Sequence, residues 1–213
     1  MAEGARARTG AEDGQAAGQI AGAGGMSFTA RVFRAWSDPR ASMRGILEGE
    51  PTEGRILMFA MTAGAILFAA ECLRIMARAA GGGDVERLSA GFAAAFVALV
   101  ILRPLMLYGL AAIAGGVARL FGGTGTWRAS RAAVCWAELV AAPLGFALTL
   151  VELLLRMAGM PLFGLSPIHV AALAALLSYC IAEAHGFSRV WMVFLVIGGI
   201  TLGVWALAHS LPN

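Results

Sequence analysis

From Ile56 onward, apolar positions fall into five long stretches with few charges inside them. They run at about Ile56 to Met76, Leu88 to Ala118, Ala132 to Met157, Ile168 to Ala184 and Val190 to Ala208. Each crossing of a hydrocarbon core ~30 Å thick takes roughly 20 apolar residues, so the pattern predicts an all-α membrane protein built as a five-helix transmembrane bundle. The second stretch is the long one: its 31 residues span ~46 Å as a continuous helix. Pro104 sits in its middle, lacks an N–H and crowds the preceding turn, so a kink is expected between Ala98 and Arg103. A re-entrant pair of half-length segments is the alternative.

The chain before the first span divides in two. Met1 to Gly25 is Ala, Gly, Glu, Arg and Gln with almost no large apolar side chain, and reads as a disordered leader with no signal-peptide core. Residues 26–54 change character, and Met26 is a possible true start. Helical spacing places Phe28, Val32, Phe33 and Trp36 on one arc, with Arg31 and Arg34 opposite. Asp38 before Pro39 reads as an N-cap and first-turn proline, and Met43, Ile46 and Leu47 give a second apolar face. This short amphipathic segment either lies in the headgroup layer, with Phe28, Phe33 and Trp36 as interfacial anchor, or packs against loops of the same protein. Residues 55–208 then form the membrane domain and 209–213 a short tail.

Composition agrees with the pattern. The chain is 59% hydrophobic and 14% charged with a mean hydropathy of +0.77, too little polar surface to coat a soluble globule. All sixteen basic residues are Arg, scattered around the spans rather than gathered in a stripe, so no nucleic-acid partner is expected. Counting them by loop puts eleven on the side of the N-terminus, four on the other and Arg103 in mid-span. The positive-inside rule therefore places the N-terminus in the cytoplasm and the C-terminus outside, in the periplasm if the membrane is the bacterial inner one.

Charge inside the spans is the candidate chemistry. Glu71 with Arg74, and Glu152 with Arg156, are spaced to pair on one helical face near a span end. Arg103, Glu138 and Glu183 have no opposite charge at that spacing and form the candidate intramembrane polar network, with Arg103 expected against Glu138. Gly199 and Gly203 make a GxxxG helix-packing motif in span five, and Ala60 to Gly64 a looser one in span one. His185, beside Glu183, reads as an interfacial cap. Cys72, Cys135 and Cys180 lie in apolar stretches without a CxxC pair, so neither disulfide framework nor metal site is expected. No nucleophile, phosphate loop or HExxH arrangement is visible, and neither a catalytic residue nor a cofactor is expected.

The arrangement resembles the Yip1-domain membrane proteins in a short bacterial version. The resemblance rests on Asp38-Pro39 before five spans, the loop Phe121-Gly122-Gly123-Thr124-Gly125-Thr126-Trp127-Arg128, Pro143 after Cys135-Trp136-Ala137-Glu138, and Ala182-Glu183-Ala184-His185-Gly186-Phe187. It covers roughly Phe28 to the C-terminus and implies five spans with a cytoplasmic N-terminus. It transfers no catalytic residue, and the Rab-type GTPase partners of eukaryotic relatives are not carried over. Two functions are consistent with these features. One is a non-enzymatic protein that organises the membrane or scaffolds a protein partner, with lipids and possible homo-oligomers as company. The other is a small transporter, channel or transporter subunit using a polar path around Arg103, Glu138 and Glu183.

Overall fold

The computed structural model describes residues 28–80, 85–160 and 164–199, and every regular element among them is helical. Two short helices come first, α1 (Phe28–Ser37) and α2 (Pro39–Glu48), followed by the long α3 (Glu53–Ala79). Next, α4 (Val85–Phe96), a π-helical turn (Val97–Leu102) and α5 (Arg103–Leu120) form one helical stretch of 36 residues, so the half-length pair is not what the chain adopts. Then come α6 (Trp127–Met157), α7 (Ser166–His185) and the apolar α8 (Val190–Gly199). Four of these stretches are long and apolar enough to cross a membrane: α3, α4 through α5, α6 and α7. Of the fifth expected span only α8 is described; the leader Met1 to Gly25, Gly203 and the tail 209–213 lie outside the described residues.

Helices α3 and α6 start before their apolar runs because a threonine caps each first turn. Thr52 Oγ1 accepts from the Arg55 N–H at 3.3 Å, and Thr126 Oγ1 from the Ala129 N–H at 3.1 Å. Each satisfies an amide that the first turn would leave bare. Asp38 does the same for α2, accepting from the Ala41 N–H at 2.9 Å with Pro39 in the first turn.

Helix α6 is the centre of the bundle. Ala132, Ala133, Ala137, Ala141 and Ala142 have no exposed surface, and side chains this small let neighbouring helices approach closely. Trp136 fills the remaining space, its ring 5.2 Å from that of Phe59 on α3. Among membrane helices such packing replaces a hydrophobic drive that lipid tails remove.

The response to Pro104 is local. The Arg103 N–H donates to the carbonyl of Ala98, five residues back, and not to Leu99 as in an α-helix. Pro104 has no N–H to offer. The backbone absorbs both facts by widening into the π turn. The carbonyl of Leu99, deprived of its α-helical donor, faces Gly64 on α3, where an added Cβ would strike its oxygen. The small residue at 64 therefore makes room for an altered backbone within the bundle.

Helices α1 and α2 cap the end of the bundle where α6 starts and α7 finishes. Val32 and Ala35 of α1 and Met43 and Ile46 of α2 are buried in the same core as α3, α6 and α7. The apolar arc of α1 is thereby split: Val32 turns in, whereas Phe33 is 72% and Trp36 40% exposed.

Candidate functional site

The cap is fastened by one carboxylate. Arg40 and Arg44 lie one turn apart on α2, and a spacing of four puts both on one face. Glu183, in the last turn of α7, accepts from Arg40 Nε through Oε2 and from Arg44 Nε through Oε1, each at 2.8 Å. Arg40 Nη2 also donates to the Phe187 carbonyl at 3.0 Å. On the other flank, Trp136 Nε1 donates to Ser42 Oγ at 3.2 Å. Glu183 is nearly buried while Arg44 is largely exposed, so the clamp has a dry side and a wet side. Arg131 of α6 pairs with Glu53 of α3 at the same end.

Arg103 and Glu138 meet deep in the bundle. Glu138 stands eleven residues into α6, about 16 Å from its start. Its side chain is 1% exposed, and its Oε1 accepts from Arg103 Nε at 2.8 Å and from Nη2. Two guanidinium nitrogens on one oxygen make a charge-assisted contact about twice as strong as a neutral hydrogen bond. Glu183 is not part of this pair. It sits at the end of α7, and α2 supplies it with cations of its own, so the three residues fall into two separate clusters.

A third polar pair joins residues 55 apart in the chain. Ser130 Oγ and His185 Nε2 are 2.9 Å apart, both side chains buried. Ser130 Oγ is also within donating reach of the Thr126 carbonyl, at 3.2 Å, and the imidazole tautomer sets which partner donates in the contact with His185. The loop 121–126 closes over them: the Thr124 N–H donates to the His185 carbonyl at 3.2 Å. A Cβ on Gly123 or Gly125 would come within 2.9 or 2.8 Å of His185 Nδ1. Gly123 and Gly125 thus permit the close approach of this loop to His185. Gly186 ends α7 in the left-handed region at φ +74°, and the Phe187 N–H returns to the Ala182 carbonyl at 2.8 Å. Sequence reasoning missed the Ser130–His185 pair, whose members share no local motif.

The charges at the other end pair within their own helices. Glu71 holds Arg74 at 3.2 Å and Arg78 at 3.5 Å, and Glu152 holds Arg156 at 2.6 Å. Of the residues expected to anchor α1, Phe33 and Trp36 are exposed, and the side chain of Phe28 lies outside the described part. Gly199 closes the described part of α8, and its partner in the GxxxG motif, Gly203, lies beyond it. Cys135 and Cys180 are buried free thiols and Cys72 is partly buried.

Compared with known proteins, residues 33–209 match the family model of the Yip1 domain. No curated protein and no solved structure matches the chain.

Proposed function

Because the chain belongs to the Yip1 domain family and is a multi-pass membrane protein, we propose that it is a non-enzymatic scaffold whose working surface is the α1–α2 cap. In this reading the chain crosses the bacterial inner membrane five times, with α8 continuing through Gly203 and the second span bending at the π turn. The N-terminus is cytoplasmic, so the cap lies at the cytoplasmic surface, where the arginine excess belongs.

The observation that carries the reading is a contrast within the cap. Its inner face is fixed by Val32, Ala35, Met43, Ile46 and the Glu183 clamp. Its outer edge presents Phe33 and Trp36 beside the exposed Arg31. Aromatic and Arg side chains held on a rigid support are the usual anchors of a protein interface. The Ser130–His185 pair lacks the orienting group of a hydrolytic triad, since His185 Nδ1 meets no partner among the described residues. The transporter reading draws on Arg103, Glu138 and Glu183, but each is already matched by an opposite charge.

A photo-cross-linking amino acid at position 33, with one at the exposed mid-helix position 113 as control, tests the proposal in native membranes. A discrete protein adduct at 33 and lipid adducts alone at 113 are expected. Lipid alone at both positions would remove the scaffold reading.

A further inference from the structure

At the bundle end opposite the cap, α3, α6 and the start of α7 enclose a cleft of about 140 Å³. That is room for several waters or one small headgroup. Arg74 lines it from α3, Glu152 and Thr149 from α6, and Ser166 and His169 from α7, with Leu67, Leu148 and Val170 among its apolar walls. The two charges belong to different ion pairs. Arg74 Nη1 donates to Glu71, and Glu152 Oε1 accepts from Arg156. A guanidinium carries five N–H donors and a carboxylate about four acceptor sites, so each retains capacity for a further partner. His169 contributes a buried Nδ1 that has no partner among the described residues.

We propose that this cleft holds the headgroup of a phospholipid whose amine carries N–H donors, with the phosphate on Arg74 and the ammonium on Glu152. Charge selects the ligand. A simple anion placed there meets the Glu152 carboxylate and a simple cation meets Arg74, whereas a zwitterion satisfies both. Depth agrees as well. Glu152 and Arg74 each lie five residues before the end of their helix, about 7.5 Å along the axis, a level at which headgroup meets acyl chain. Val170 is exposed at the cleft, leaving an apolar exit for the glycerol and chains. The assignment goes beyond the cap and stands or falls without it.

The test uses the full chain, delipidated in detergent and titrated with phosphatidylethanolamine, phosphatidylcholine or phosphatidylglycerol of identical acyl chains, with retained lipid read by native mass spectrometry. Phosphatidylethanolamine is expected to be kept at one copy, about tenfold above the other two, because a trimethylated amine has no N–H for Glu152 and a glycerol headgroup has no cation. Glu152→Gln and Arg74→Gln each abolish that preference. Ser166→Phe, which blocks the rim and leaves both ion pairs intact, abolishes it too and decides the matter if the charge variants fail to fold. Equal retention of all three lipids, or a preference indifferent to Ser166→Phe, would overturn the proposal. So would binding of soluble phosphoethanolamine with no lipid retained. Cross-linking at position 33 is unaffected by these variants, so failure here is separable from failure of the scaffold reading.

Discussion

Arg103→Leu is expected to cost the bundle about 3–5 kcal/mol, because it leaves a carboxylate without its counter-charge where water does not reach. Glu138 is 1% exposed, and both guanidinium contacts fall on its Oε1. Among the described residues Arg103 is the one cation paired with that carboxylate. Glu138→Gln keeps the acceptor oxygen and is expected to lose about half as much, since a hydrogen bond to a neutral amide survives. The double variant Arg103→Leu/Glu138→Leu is the informative one. Replacing a buried pair by apolar side chains is often close to neutral, so most of the lost stability is expected to return. Unfolding in mixed micelles, followed by helical circular dichroism, measures all three. A fully stable Arg103→Leu protein would show that the pair is not structural, and a double variant no better than the single would show that the loss comes from packing at the π turn.

The second large effect is expected at Glu183. Glu183→Ala removes the shared acceptor of Arg40 and Arg44, and with it both ion pairs between α2 and α7. Arg40 is partly and Arg44 largely exposed, so solvent screening keeps the loss modest. It is nonetheless expected to raise the undocked population of the cap several-fold. The expected readout is faster proteolysis at the linker Gly49-Glu50-Pro51 and faster amide exchange in α1 and α2, with α6 unchanged. Glu183→Asp, which keeps the charge but shortens the reach, is expected to fall between. Unchanged proteolysis in Glu183→Ala would mean that Val32, Ala35, Met43 and Ile46 hold the cap unaided.

What could be read from the sequence followed from local periodicity. Four of the five apolar stretches are helices at the expected places, and the helices at Glu53 and Trp127 begin a few residues early because Thr52 and Thr126 cap amides that hydropathy ignores. Pro104 located the disturbance in the second stretch, and the backbone answers with a π turn at Val97–Leu102, a register change that side-chain pattern does not encode. The family was legible from the same order of spans, loop and proline. The arc of α1 was visible, but a periodic face cannot say which of its edges meets protein, and the boundary runs between Val32 and Phe33. The partners of Glu183 were out of reach for a different reason. They are 139 and 143 positions away, on a helix with no visible register to α7. Ser130 with His185 is hidden in the same way.

The scaffold and transporter readings part most directly in one measurement: recovery of the intact protein from native membranes in nanodiscs, with native mass and identification of whatever is bound, for the wild type, Phe33→Ser/Trp36→Ser and Arg103→Leu. A scaffold is recovered with one protein partner in fixed ratio, loses it in the Phe33→Ser/Trp36→Ser variant, and keeps it in whatever fraction of Arg103→Leu remains folded. A homo-oligomer carrying a small ligand that Arg103→Leu alone abolishes would contradict the account.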